Sequence, residues 1–189
     1  MLISNKYQRV LVLIDAQNLY HSAKNLYKAR INFANLLKEI VKDRQLVRAI
    51  AYVVKSDEPG ESLFFDALTN AGIEMRMKDL QIYPDGTKKA DWDVGLAVDA
   101  IRYSNLMDVI VLATGDGDFI PLIEYLRQQG RNIVVANFGR TTSSKFKELA
   151  DEFIDLDKTP GKFLMFSNKM RPSFKFRKEG AKERNNSTP

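Results

Sequence analysis

Asp15, Asp93, Asp116 and Asp118 are the residues of this chain whose type and placement best suit chemistry. Asp116 and Asp118 lie in Thr114-Gly-Asp-Gly-Asp-Phe119, directly after the apolar run Val109-Ile-Val-Leu-Ala113. Folding alone gives no reason to deliver two carboxylates to the end of a buried strand, because neighbouring anions repel unless a cation holds them. Asp15 ends a second apolar run, Val10-Leu-Val-Leu-Ile14, and Asp93 stands at the start of the amphipathic segment that precedes Val109. Carboxylates gathered in one pocket need compensating charge, and the hard cations Mg²⁺ or Mn²⁺ supply it through oxygen ligands. Mg²⁺ keeps phosphate oxygens and water among its other ligands, so the implied substrate is a phosphoryl compound.

Neighbouring polar residues carry two readings each. Asp118 either joins the metal pocket or caps the helix that follows it, and Asp116 is the firmer ligand of the two. Asn18, three residues after Asp15, either hydrogen-bonds a phosphate or a water on the metal, or caps a helix. Thr114 can offer its hydroxyl to a carboxylate or a phosphate. Asp91 is expected to cap the helix that contains Asp93, and Asp99 falls on another face of that helix as a structural residue. Lys88 and Lys89 either meet phosphates or are simply solvated.

Composition removes several alternatives. The 189 residues contain no cysteine and one histidine, His21, which excludes disulfides and thiolate zinc sites and disfavours a Ser-His-Asp triad. No apolar run approaches the ~20 residues needed to span a bilayer, and the first nine residues are too short and polar for a secretory segment, so a cytoplasmic protein with no membrane partner is expected. The formal charge of +5 is uneven. Residues 159–189 hold 8 Lys+Arg against 2 Asp+Glu, whereas residues 1–158 hold 21 against 22. The basic character therefore belongs to the C-terminal part.

The elements that must position the carboxylates follow from hydrophobic periodicity. Strands are expected over 9–15, 46–54, 73–80, 109–113, 131–137 and 153–156. Helices are expected over 18–27, 33–41, from Pro59 to a stop at Asn70-Ala-Gly72, 91–103, 119–130 and 143–150, with Pro121 in a first turn. Tyr83-Pro-Asp-Gly86 has hairpin chemistry, so residues 81–89 read as a protruding loop. Alternation of strands and helices implies an α/β fold, a mostly parallel central sheet with helices on both faces. If the first and fourth long strands are neighbours, Asp15, Asp93, Asp116 and Asp118 converge where such sheets bind ligands. One domain over 1–158 and a basic, aromatic-containing tail over 159–189 are expected, the tail partly disordered.

Ile14-Asp-Ala-Gln-Asn-Leu19, Asp93-Val-Gly-Leu-Ala-Val-Asp99 and Thr114-Gly-Asp-Gly-Asp-Phe119, in this order and at these separations, resemble the NYN-domain proteins of the LabA-like group, relatives of the PIN nucleases. The likeness spans residues 8–157. It implies a PIN-like three-layer sandwich and a Mg²⁺- or Mn²⁺-dependent ribonuclease centre, with Asp15, Asn18, Asp93, Asp116 and Asp118 as functional positions. The metal shell implied is Asp15, Asp93, Asp116 and Asp118. Asp91-Trp92 departs from the commoner Gly and small apolar pair before the helix Asp, and Asp93 rather than Asp91 is the favoured ligand. A homodimer is implied by analogy only.

Such a centre would hydrolyse RNA phosphodiesters, the metal lowering the pKa of the attacking water and a carboxylate taking its proton. The alternative is a noncatalytic RNA- or protein-binding regulator that retains the acidic pocket. A phosphatase with Asp15 as nucleophile is disfavoured, because that chemistry wants a second Asp at position 17, where this chain has Gln. In the tail, Phe163, Phe166, Phe174 and Phe176 interleave with basic residues, a pattern suited to single-stranded RNA. The rival readings are that Phe163 to Phe166 packs back on the core, or that the segment meets a membrane or a protein.

Overall fold

The computed structural model describes residues 5–55, 60–82 and 88–166. Pro59, the Tyr83–Gly86 turn, Phe174 and Phe176 lie outside the described residues, as do the side chains of Lys88 and Lys89. In chain order the elements are β1 (Arg9–Asp15), α1 (Ala16–Tyr27), β2 (Arg30–Ile31), α2 (Phe33–Val41), β3 (Gln45–Lys55), α3 (Glu61–Asn70), β4 (Glu74–Asp79), β5 (Gln81–Ile82) and β6 (Lys88–Lys89). They continue with α4 (Asp93–Ser104), β7 (Val109–Ala113), α5 (Ile120–Gln128), β8 (Asn132–Asn137), α6 (Ser144–Leu149), β9 (Glu152–Asp155), α7 (Pro160–Phe163) and β10 (Leu164–Met165).

The central sheet has the order β4-β3-β1-β7-β8-β9, and every pairing in it is parallel. Strand order reverses between β1 and β7, which pair from Val10 opposite Val109 to Ile14 opposite Ala113. The first and fourth long strands are thus neighbours, and the crevice beyond their carboxyl ends is where such a sheet accommodates a ligand. Two short antiparallel ladders, β5 with β6 and β2 with β10, lie apart from this sheet.

Both faces are covered, giving three layers. Side chains of a strand alternate between faces, so Val10, Val12 and Ile14 of β1 pack with α1, α2 and α3. Leu11 and Leu13 pack on the other side with Leu96 and Ala100 of α4, Leu122, Ile123 and Leu126 of α5 and Phe146 of α6. Burial on both faces explains why β1 and β7 read as unbroken apolar runs rather than alternating ones.

Two local features differ from expectation, and a third decides between open readings. α1 begins at Ala16, not Asn18, because Asp15 Oδ1 accepts from the Asn18 backbone N–H at 3.0 Å and caps the helix. A single 3-10 turn over Gly117–Phe119 separates Asp118 from α5, and Pro121 still occupies the first turn of that helix. Phe163 and Leu164 are buried in the core, and the Asn32 N–H donates to the Phe163 carbonyl at 2.7 Å. Of the readings open for this segment, packing on the core holds at Phe163, and Phe166 packs against the same cluster.

Candidate metal centre

The local sequence forces the chain open at the end of β7. A Cβ on Gly115 would stand 2.1 Å from Asn137 Nδ2 and 2.7 Å from the Thr141 carbonyl, so only glycine passes here. Asn18 and Asn137 lock the bend. Asn18 Oδ1 accepts from the Gly115 N–H and from Asn137 Nδ2, both at 3.1 Å. Asn18 lies inside α1 and therefore caps nothing; its amide fastens α1 and β8 to the loop that carries Asp116. Asn137 escaped the sequence reading, since an Asn at a strand end has no periodic signature.

Thr114 is fully buried and joins three elements. Its hydroxyl donates to Asp15 Oδ2 at 3.1 Å and accepts from the Asp116 N–H at 3.3 Å. Asp116 Oδ1 in turn accepts from the Asp118 N–H at 2.9 Å. Of the two readings open for Asp118, the cap belongs instead to Asp116, whose side chain starts the 3-10 turn. Asp118 is exposed and carries no cap.

Trp92 fixes the other wall. Its indole N–H donates to the Val53 carbonyl at 2.9 Å, and its ring lies edge-on to Tyr52 at 5.5 Å between centroids. A Cβ on Gly95 would come within 2.6 Å of that ring, so Gly95 lets Trp92 fold over the first turn of α4. Trp92 anchored in this way holds Asp93, the first residue of α4, toward the end of β7. Asp91 is exposed and outside the cluster, and no side-chain cap hydrogen bond starts α4. Asp99 faces elsewhere, accepting from the Tyr52 hydroxyl at 3.0 Å and from Arg102 Nη1 at 3.0 Å, with Arg76 at 3.6 Å.

Asp93, Asp116 and Asp118 each present a carboxylate oxygen, and the three oxygens lie within 4.8 Å of one another. Burial pushes the Asp93 carboxyl up, and the charges of Asp116, Asp91, Asp15 and Asp118 all push it the same way. Asp15 is also raised, chiefly by burial, against the pull of its hydrogen bonds from Asn18 and Thr114 and with a further push from Asp116. Asp15 therefore shares the field of the cluster, while its two oxygens are engaged by α1 and Thr114. An all-oxygen donor set under mutual repulsion, without sulfur or imidazole, suits a hard divalent cation such as Mg²⁺ or Mn²⁺.

Residues 9–157 match the NYN domain family. The chain is 28% identical over 160 residues to the low amplitude and bright protein LabA of Synechococcus elongatus, a match covering 79% of this chain and 84% of that one. A crystal structure of a protein of unknown function from Vibrio parahaemolyticus superposes with a TM-score of 0.77 at 30% identity, covering 87% of this chain and all of the other. β1, α4 and the turn after β7, which carry the carboxylates, all fall inside the matched span.

Proposed function

This chain belongs to the NYN-domain family, and from that membership together with its acidic cluster we propose that it is a metal-dependent ribonuclease acting on single-stranded RNA. The observation that carries the reading is the approach of Asp93, Asp116 and Asp118 within 4.8 Å at the strand-order reversal. A hydrolytic centre tolerates such repulsion because a cation would offset it, whereas a purely structural site would relieve it with Lys or Arg.

Asp93, Asp116 and Asp118 would hold the ion. When bound, Mg²⁺ or Mn²⁺ supplies charge neutralisation for a phosphodiester and lowers the pKa of water. The chain's own residues do the rest. Asp15, through Thr114, sets the height of Asp116 at the end of β7, and Asn18 keeps the Gly115 bend closed. Trp92 sets the position of Asp93. A carboxylate of the cluster receives the proton released by the attacking water, since His21 is not among the grouped residues.

The test is incubation of end-labelled single-stranded RNA with the protein in Mn²⁺, in Mg²⁺ and in EDTA. Cleavage that requires the ion and stops in EDTA is expected. Intact RNA in both metals would leave the protein a binding regulator instead.

A further inference from the structure

A second concavity opens at the carboxyl ends of the strands, on the α1–α3 face of the sheet. Its volume is about 410 Å³, within the roughly 300–1,000 Å³ typical of small-ligand clefts. Val53 and Val54 at the end of β3 contribute to its lining, as do residues of α1 and α3. Tyr20, Phe33 and Phe64 line it and form an edge-to-face series, with Tyr20 to Phe64 at 6.3 Å and Phe64 to Phe33 at 5.5 Å. Gln17 brings an amide with both donor and acceptor, and Arg30 is exposed at the cavity. Glu61 lines the cavity as well, so one carboxylate accompanies the exposed Arg30 guanidinium there.

We infer that this cavity is a nucleobase subsite, taking one base of the RNA strand whose phosphodiester meets the acidic cluster. Aromatic walls suit the flat apolar faces of a base, an amide can read its polar edge, and an exposed guanidinium matches the phosphate attached to it. An apolar metabolite would have no use for Gln17 and Arg30.

The cavity is coupled to the cluster through shared backbone. Ala16 and Gln17, which line it, directly follow Asp15. Val53, which also lines it, accepts the indole N–H of Trp92, and Trp92 directly precedes Asp93. A strand lying along the carboxyl rim therefore meets both. The inference rests on the reading of the chain as an RNA-handling protein, but not on its being catalytically competent.

Binding in EDTA separates the two. Fluorescence anisotropy of a short fluorescein-labelled single-stranded RNA is measured with the full-length protein and with Ala67→Phe, which fills the cavity, Tyr20→Leu and Arg30→Gln. Each substitution should weaken binding about tenfold, the scale of losing one base–aromatic stack or one phosphate contact. Unlabelled nucleoside monophosphate should compete, and inorganic phosphate alone should not. If Ala67→Phe does not fold, Tyr20→Leu and Arg30→Gln carry the test, because both side chains are partly or fully exposed. Folded variants that bind within about twofold of the parent overturn the subsite, as does equal displacement by inorganic phosphate. Cavity-dependent binding without cleavage in Mn²⁺ would retain the subsite and remove the nuclease reading, and cleavage indifferent to the cavity would do the reverse.

Discussion

Thr114 Oγ1 donates to Asp15 Oδ2 at 3.1 Å, tying the ends of β7 and β1 together across the point where strand order reverses. The same hydroxyl accepts from the Asp116 N–H, so one buried group sets the relative position of two acidic residues. Thr114→Val keeps the shape and removes both hydrogen bonds. It should destabilise the fold by about 1–3 kcal/mol, the cost of leaving buried partners unsatisfied, and weaken Mn²⁺ binding. Urea unfolding and metal titration of the variant measure the two effects, and a variant as stable as the parent would deny Thr114 this part.

Asp93 stabilises the protein least when it is ionised. Burial and four neighbouring carboxylates raise its pKa in the fold, so the native state binds the proton more tightly than the unfolded chain. Stability from this group therefore falls as pH rises from the unfolded value through the raised one. Asp93→Asn should raise Tm in EDTA by about 2 °C at pH 7, a gap that closes in acid below the unfolded pKa. Mn²⁺ should raise the Tm of the parent more than that of the variant. Thermal melts with and without metal decide it, and a variant that melts below the parent in EDTA contradicts the repulsion.

Gly115→Ala places a Cβ into Asn137 Nδ2 and the Thr141 carbonyl. Backbone cannot yield as a long side chain would, so a loss of about 1–3 kcal/mol is expected together with loss of metal binding. Gly117→Ala is the matched control, because its Cβ would meet Ser143 only at 3.5 Å. Equal stability of the two variants in denaturant would show that the bend is not constrained.

Acid should weaken the fold through Asp157. Burial pushes its carboxyl up, but hydrogen bonds from Arg140 and Tyr27 outweigh that and hold it below the usual range. A depressed folded pKa gives stability that is present above the unfolded value of ~3.9 and is lost as pH falls through the folded one. Asp157→Asn should lower Tm at pH 7 by about 2–4 °C, the equivalent of ~1 kcal/mol in a domain of this size. The difference from the parent should shrink toward pH 3. A constant difference across that range would mean that Asp157 acts through packing alone.

The sheet was legible because β1 and β7 are buried on both faces, which leaves uninterrupted apolar runs that end in Asp15 and Thr114-Gly-Asp. Given the adjacency of β1 and β7, four carboxylates were expected to converge; Asp93, Asp116 and Asp118 do so, whereas Asp15 stands outside that group with its oxygens hydrogen-bonded to the Asn18 N–H and Thr114. What periodicity could not supply was how each carboxylate spends its oxygens. Asp15 caps α1 and receives Thr114, and Asp116 rather than Asp118 caps the turn after it, because capping depends on backbone angles rather than on residue type. Asn137 and Trp92 were invisible as positioning residues for a similar reason: their partners, Asn18 and Val53, are distant in sequence. The β2–β10 ladder was missed because two-residue strands leave no alternation to read. The aromatic cavity draws on residues from Ala16 to Met165, which share no spacing.

Cleavage of single-stranded RNA in Mn²⁺ by the parent and by Asp116→Asn, compared at matched folded concentration, tests metal-dependent hydrolysis at the cluster most directly. Asparagine retains the oxygen that accepts from the Asp118 N–H, so the turn should survive while a charged ligand is lost. A fall of about a hundredfold or more in the rate, with the melting transition intact, is the predicted result. Cleavage by Asp116→Asn at the parental rate would contradict catalysis at Asp93, Asp116 and Asp118.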